Sequence, residues 1–319
     1  MLVYILFILG FVLLIKGADL LVDGSSSIAK KLKISSIVIG LTIVAFGTSA
    51  PELIVNIFAS ISGNTEIAIG NVLGSNIANI LLVLGICAII YPIVAKKNTI
   101  AKEIPFALLA AIMVGVMAND FLIDGSGFSG LTRIDGIVLI SFFLIFLYYT
   151  FGIAKLKDAG IKGVEITDHG YFKSIVFVLL GLVGLTVGGK WIVDGAVHIA
   201  EILDVSQSLI GLTVVAIGTS LPELATSAVA AYKKQTDIAI GNIVGSNIFN
   251  IFWILGLSSI VRPLPFEQSS NFDIGMTIFA SLLLFVVMFI GKKRVIERWQ
   301  GIFMILLYVA YVVFLVIRQ

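Results

Sequence analysis

Two glutamates, Glu52 and Glu223, lie where a charged side chain is hard to accommodate. Glu52 is the only charged residue between Lys33 and Glu66, and Glu223 lies in a second apolar stretch of the same kind. An ionisable group at the centre of a membrane span costs at least about 2.5–3.5 kcal/mol. A single such carboxyl group could be a hydrogen-bonded structural residue. Two matched carboxyl groups favour a shared function, because packing alone does not require that cost twice.

The residues before each glutamate predict a broken helix. They read GTSAPEL at 47–53 and GTSLPEL at 218–224. Each proline removes a backbone N–H donor and clashes with the carbonyl four residues earlier, so we expect freed carbonyl groups around 45–48 and 216–219. At membrane depth, irregular backbone is tolerated only where protein or a hydrated cavity surrounds it.

The same motif places hydroxyl groups beside each carboxyl group, since residues three and four apart share a helix face. Carbonyl, hydroxyl and carboxylate oxygens suit hard cations, and the absence of Cys and His from the motif argues against Zn²⁺ or copper. A proline kink used for helix packing is the alternative. The hydroxyl residues are Thr48 and Ser49 in the first motif and Thr219 and Ser220 in the second.

A polar stripe follows each motif in the next apolar stretch. Amide and hydroxyl oxygens recur there every fourth residue and are natural ligands for Na⁺ or Ca²⁺ inside a helix bundle. The neighbouring glycines would let helices approach closely, and small residues often serve packing alone. The stripes are Asn71, Ser75 and Asn79 in the first copy and Asn242, Ser246 and Asn250 in the second.

Composition assigns these motifs to a membrane protein. Of 319 residues, 59% are hydrophobic and 13% are charged, far fewer charges than a soluble domain carries. A net charge of +2 provides no phosphate-binding field. A soluble enzyme, a disordered chain and a nucleic-acid-binding protein are therefore excluded. The single cysteine, Cys87, has no intrachain disulfide partner.

Apolar runs long enough to span a bilayer predict an all-α polytopic protein with ten transmembrane helices. The polar stretch 153–172 is a linker between two halves, and no soluble domain fits elsewhere in the chain. The predicted spans are 2–22, 35–61, 66–92, 103–119, 134–152, 173–193, 206–232, 238–261, 272–291 and 300–317.

The chain contains an internal repeat. Residues 40–80 align without a gap to 211–251, with 24 identities in 41 positions. We predict a first five-span repeat over 1–152, a cytoplasmic linker over 153–172 and a second repeat over 173–319. Because five is odd, the second repeat enters the membrane from the opposite side. Inverted repeats of this kind are typical of secondary transporters.

The basic residues predict the orientation. With both termini outside, sixteen Lys and Arg residues fall in cytoplasmic loops and three in outside loops, as the positive-inside rule requires. We expect a multi-pass protein of the cell membrane with both termini extracellular.

Paired GTSxPE motifs, each followed by GNxxGSNIxN, resemble the cation/calcium antiporter superfamily and specifically its prokaryotic sodium/calcium exchangers. The resemblance covers essentially the whole chain and implies four adjacent cation sites, with the first and sixth spans sliding as a gating pair. It implies that Glu52 and Glu223 hold Ca²⁺ with the carbonyls of Thr48 and Thr219. The Na⁺ ligands that it implies are Ser49, Ser220, Ser75, Ser246 and the carbonyls of Ala45 and Ala216, with Asn79 and Asn250 at the centre.

The chain departs from many of these relatives at one position, because Asn250 stands where they carry Asp. The site then has a formal charge of −2, which one Ca²⁺ neutralises and several Na⁺ exceed, so exchange should be electrogenic. Relatives that exchange protons carry an acidic residue where this chain has Gly74-Ser75 and Gly245-Ser246, which favours Na⁺ here.

The expected partners are the transported Ca²⁺ and Na⁺ ions and the lipid bilayer. No cofactor, nucleic acid or obligatory protein partner is expected, and the chain carries no catalytic motif of an enzyme. A proton-driven or other cation/cation antiporter remains the main alternative. A channel would conduct without countertransport, and an intramembrane enzyme would need a catalytic set such as HExxH.

Overall fold

The computed structural model describes residues 2–125, 128–154, 169–202 and 216–318. It is built almost entirely of helices. Their bounds are α1 (Leu2–Leu32), α2 (Ser36–Thr48), α3 (Ala50–Ser62), α4 (Ile67–Ile90, whose first turn begins at Thr65), α5 (Thr99–Met117), α6 (Arg133–Ala154), α7 (Tyr171–Ile202), α8 (Ala216–Thr219), α9 (Leu221–Tyr232), α10 (Thr236–Val261), α11 (Asn271–Val287) and α12 (Arg298–Arg318), with the short helices Asp120–Asp124 and Gln268–Ser270 in loops.

Seven of these helices, namely α1, α4, α5, α6, α7, α10 and α12, are long and apolar enough to cross a membrane. The bent pair of α2 and α3 makes an eighth if it is counted as one span. Helix α11 is a shorter apolar helix at the predicted span 272–291. The predicted span 206–232 begins in 203–215, outside the described residues, and most of the predicted linker also lies outside them.

Helices α1 and α7 pack against each other in an antiparallel arrangement along a seam of glycines. A Cβ atom added at Gly17 would lie 2.8 Å from the carbonyl oxygen of Gly181, and one added at Gly10 would lie 2.9 Å from that of Gly188. Small residues let membrane helices approach this closely. The two helices therefore form one tightly packed pair.

Both helices of this pair are longer than the predicted spans 2–22 and 173–193. Beyond its apolar run, α1 continues through three buried serines. The hydroxyl of Ser174 donates to that of Ser27 at 2.9 Å. Contact with α7 thus extends the helix past the end of the hydrophobic signal.

Two short antiparallel ribbons mark opposite ends of the bundle. Strand β1 (Ile93–Val94) pairs with β4 (Val295–Ile296), and β2 (Gly130–Leu131) pairs with β3 (Leu264–Pro265). Helix α5 lies between β1 and β2 in the chain, and α11 lies between β3 and β4. The ribbons are therefore separated by the length of a helix.

Side-chain contacts show which loops lie at each of these two ends. At the β1–β4 end, Lys96 Nζ lies 2.8 Å from the Asp237 carboxylate and donates to the Ser35 hydroxyl at 2.9 Å. These contacts join the loop after α4 to the starts of α2 and α10. At the β2–β3 end, the Arg262 guanidinium lies beside Gly63, where an added Cβ atom would be 2.9 Å away.

Candidate functional site

Each glutamate follows a break between two helices. Ser49, with φ −84° and ψ 5°, separates α2 from α3, and the two helices are bent by 46°. Ser220, with φ −86° and ψ 3°, separates α8 from α9 in the same way. Proline lies in the first turn of both α3 and α9, where its missing N–H is least costly. The predicted helix break is present at both motifs.

The two carboxyl groups are fully buried at the starts of α3 and α9. Glu52 and Glu223 are each 0% exposed, and the positive end of a helix dipole stabilises negative charge at such positions. Ser49, three residues before Glu52, donates a hydrogen bond to Glu223, which links the first break to the carboxyl group of the second half. Two carboxyl groups held together without solvent require a compensating cation or a proton.

Two hydroxyl groups hold the Glu223 carboxylate, one from the other half of the chain and one from its own half. Ser49 donates to Glu223 Oε1 at 2.9 Å. Ser246, on α10, donates to the same oxygen at 3.3 Å. One Glu223 oxygen is therefore held in place, whereas Oε2 and both oxygens of Glu52 have no hydrogen-bond partner among the described residues.

The threonines of the two breaks make equivalent cross-contacts. The Thr48 hydroxyl donates to Asn242 Oδ1 at 3.0 Å, and the Thr219 hydroxyl donates to Asn71 Oδ1 at 3.2 Å. Each bond joins the break of one half to the polar stripe of the other. The threonine side chains thus link the two halves of the chain at the helix breaks.

Several further oxygen-bearing side chains are buried around the glutamates. A buried polar atom without a partner costs about 1–3 kcal/mol, and a cluster of such oxygens is suited to a hard cation. Besides the carboxylate oxygens, the buried oxygens without a hydrogen-bond partner among the described residues include four at predicted site residues, Ser75 Oγ, Ser220 Oγ, Asn79 Oδ1 and Asn250 Oδ1, and four at other residues, Ser25 Oγ, Asn56 Oδ1, Thr226 Oγ1 and Ser258 Oγ.

The kinds of side chain in this cluster bear on which metal ion it could hold. Among the described residues, no three His, Cys, Asp or Glu side chains form a metal-binding group. A site built from two carboxylates and neutral oxygens suits Na⁺ and Ca²⁺ better than transition metals.

The carbonyl of Ala45, a predicted backbone ligand, is not freed in the way that the proline predicted. The carbonyl of Ala45 accepts the backbone N–H of Ser49 at 3.0 Å and the Thr48 hydroxyl at 3.3 Å. It is therefore not released by the break, because Ser49 still completes the last turn of α2. Pro51 instead deprives the carbonyl of Gly47 of its usual donor. Ala216 begins α8, next to residues outside the described part of the chain.

Asn76 and Asn247, which the sequence did not single out, are buried beside the central asparagines. Each donates its side-chain amide to the backbone carbonyl of the other at 3.3 Å. The repeated Ser-Asn pair within GSNIxN was a signal that could have identified them.

Comparison with known proteins relates this geometry to transport. Residues 2–152 and 173–317 match the family described as sodium/calcium exchanger protein. The sodium/calcium exchanger MaX1 of Methanosarcina acetivorans is 35% identical over 98% of both chains. The membrane protein MJ0091 of Methanocaldococcus jannaschii is 40% identical over 95% of this chain and 94% of its own.

A solved structure agrees with the same assignment. The sodium-calcium exchanger NCX_Mj, soaked with 2.5 mM Na⁺ and 10 mM Sr²⁺, superposes with a TM-score of 0.84. It is 39% identical, and the match covers 98% of each chain. The two named exchangers are transporters and not enzymes. This chain is a polytopic helical membrane protein that belongs to the sodium/calcium exchanger family.

Proposed function

We propose that this protein exchanges Na⁺ for Ca²⁺ across the cell membrane by alternating access. The observation that carries the proposal is the pair of fully buried glutamates, one from each motif, with three carboxylate oxygens left unpaired among the described residues. Such a pair is costly without a cation. Ca²⁺ accepts six to eight oxygen ligands in flexible geometry, whereas Mg²⁺ requires a strict octahedron.

The ligand set follows the two motifs. Glu52 and Glu223 would hold Ca²⁺ together with the carbonyls of Thr48 and Thr219 and would share in Na⁺ binding. Asn79 and Asn250 would occupy the centre. The flanking Na⁺ ligands would be Ser49, Ser75, Ser220 and Ser246 with the carbonyls of Ala45 and Ala216, the first of these carbonyls after release from its bond to Ser49.

Competition for one set of oxygens would couple the two ions. The glutamates carry a formal charge of −2, since Asn79 and Asn250 are neutral. One Ca²⁺ neutralises that charge, and more than two Na⁺ leave a positive excess. Exchange is therefore electrogenic, with about 2.3 kcal/mol per charge for each 100 mV.

The membrane arrangement that we propose is ten spans in two inverted repeats, 1–152 and 173–319, joined by the linker 153–172. Support comes from the two ribbons at opposite ends of the bundle and from the Lys residues at the β1–β4 end, which we assign to the cytoplasm. Both termini are then extracellular. The α1–α7 pair, packed through its glycine seam, is the unit that slides to alternate access.

Transport in proteoliposomes tests the proposal. An outward-directed Na⁺ gradient should drive uptake of radioactive Ca²⁺, and Glu52→Gln and Glu223→Gln should each abolish it, because a neutral amide cannot balance the cation charge. Glu103→Gln is the matched control. Glu103 is also buried, but it accepts a hydrogen bond from Tyr149 and lies on α5, away from the breaks. Uptake retained in either site variant would refute the assignment.

The same assay distinguishes Na⁺-driven exchange from the main alternative, proton-driven exchange. A proton/calcium antiporter would take up Ca²⁺ in response to a pH gradient without Na⁺, because two neighbouring carboxyl groups can also exchange a cation for protons. Uptake driven by a pH gradient alone would replace Na⁺ by H⁺ in the proposal.

A further inference from the structure

Four asparagines join α4 to α10 beside the glutamates, and we name this group the amide clamp: Asn76, Asn79, Asn247 and Asn250. All four are buried, with exposures of 0–3%. Asn76 and Asn247 each donate Nδ2 to the other's backbone carbonyl at 3.3 Å. A backbone carbonyl can only accept a hydrogen bond. This exchange therefore fixes which end of each side-chain amide faces away from it.

The fixed ends determine the orientation of the two central amides. Asn247 Oδ1 faces Asn79, whose Nδ2 donates to it at 3.1 Å. Asn76 Oδ1 accepts in the same way from Asn250 Nδ2 at 3.0 Å. Both central asparagines thus direct their nitrogen into the clamp. Their Oδ1 atoms remain buried and without a partner among the described residues.

This orientation matters because the two ends of an asparagine amide have opposite polarity. The oxygen attracts a cation, whereas the NH₂ group repels it. A carboxylate would need no such control, since both of its ends are oxygen. Both central positions in this chain are Asn, so each needs a partner that holds the nitrogen away from the ion.

We infer that Asn76 and Asn247 are positioning residues that hold Asn79 and Asn250 with their amide oxygens toward the transported cation. This inference rests on the proposed cation site and adds to it the groups that preorganise its two neutral central ligands. Partners that orient metal ligands typically affect metal affinity by about 10- to 100-fold.

A double-mutant cycle tests the clamp. Asn247→Leu keeps similar volume but removes the acceptor for Asn79, so it should raise the KM for Ca²⁺ about 10- to 100-fold with little change in the maximal rate. In an Asn79→Asp background, Asn247→Leu should raise the KM for Ca²⁺ by a several-fold smaller factor, because a carboxylate presents oxygen in either orientation. A purely structural role would raise the KM by the same factor in both backgrounds.

A binding measurement accompanies the transport assay. Ca²⁺ should raise the melting temperature of the purified wild type by mass action, and Asn247→Leu should need a higher Ca²⁺ concentration for the same rise. Asn76→Leu, with and without Asn250→Asp, repeats the cycle on the other half and replaces the first cycle if Asn247→Leu does not fold.

The possible results separate the two proposals. Equal KM values in Asn247→Leu and wild type would overturn the clamp alone. The same holds if Asn247→Leu raises the KM by equal factors in the wild-type and Asn79→Asp backgrounds. A wild type that Ca²⁺ stabilises but that shows no Na⁺-driven uptake would overturn exchange, while the stabilisation series would still decide the clamp. A wild type without either property would overturn the cation site and the clamp with it.

Discussion

The two halves carry the same ligand motifs but differ in how they meet the α1–α7 pair. In the second half, Lys233 Nζ lies 2.5 Å from Asp19 and 2.7 Å from Asp23, both on α1. Gln235 adds a bond from the Ser26 hydroxyl at 2.5 Å. These contacts fix α1 to the loop between α9 and α10, at the β1–β4 end.

The repeat offset of 171 residues gives the counterpart of each of these residues in the other half. Lys233 corresponds to Ser62, Asp19 to Lys190 and Asp23 to Asp194. A serine opposite one lysine and one aspartate cannot reproduce a lysine held between two carboxylates. In the inverted repeat that we propose, equal contacts would give the two facing states equal energy, so we expect unequal contacts of this kind to set the preference between them.

The largest expected effect comes from breaking the seam that both halves share. Gly17→Val should destabilise the protein by about 1–3 kcal/mol and abolish Na⁺-driven Ca²⁺ uptake. Even its first carbon would lie 2.8 Å from the Gly181 carbonyl oxygen and force α1 and α7 apart. Melting temperature and uptake measure the two effects.

Gly275→Ala is the matched control for this change, since an added Cβ on α11 meets no atom within 4 Å. Full transport by Gly17→Val would show that the close approach of α1 and α7 is dispensable.

A moderate effect should follow from removing the asymmetric ion pair. Lys233→Met keeps the aliphatic stem but releases Asp19 and Asp23. Partly exposed ion pairs contribute about 0.2–1 kcal/mol, so the ratio of the Ca²⁺ KM values on the two membrane faces should change by a few-fold. Right-side-out and inside-out vesicles supply the two values.

Building the missing contact in the other half tests the same asymmetry from the opposite side. Ser62→Lys combined with Lys190→Asp would place a lysine opposite two aspartates in the first half and should shift the KM ratio in the opposite direction. A shift in the same direction for both variants would contradict the idea that these contacts set the preference.

The smallest effect concerns pH. Burial by itself would lower the pKa of Lys233, but hydrogen bonds and charge from Asp19 and Asp23 outweigh it and raise that pKa above its ordinary value. The stabilisation is then fully present below the ordinary lysine pKa of about 10.4 and is lost as pH rises through the higher folded value.

The melting temperature difference between wild type and Lys233→Met should therefore stay constant from about pH 6 to 9 and shrink only above about pH 10. A difference that disappears near neutral pH would show that another group controls the contact.

The features that the sequence predicted well are those encoded by residue type. The helix breaks that the two prolines predicted are present. Isolated charges in apolar stretches singled out Glu52 and Glu223, and polar residues at every fourth position singled out Asn79 and Asn250. All four are buried, and their role as ion ligands stays a prediction.

The features that the sequence could not predict depend on orientation and on contacts between distant segments. The amino-acid sequence does not show which end of a side-chain amide faces a neighbour, so it assigned no role to Asn76 and Asn247. Hydropathy underestimated the length of α1, because its polar last part is buried by contact with α7, where Ser27 lies against Ser174. The Ala45 carbonyl keeps its donor because the helix breaks one residue after Thr48.

The lengths of α1 and α7 have a consequence for lipid. At 1.5 Å per residue, their 31 and 32 residues extend about 46–48 Å, against a hydrocarbon core of about 30 Å. A shift of one helical turn, about 5.4 Å, would still leave helix across the whole hydrocarbon layer. Movement of the pair along the bilayer normal would therefore leave no irregular backbone of these two helices in the hydrocarbon, where unsatisfied backbone groups are costly.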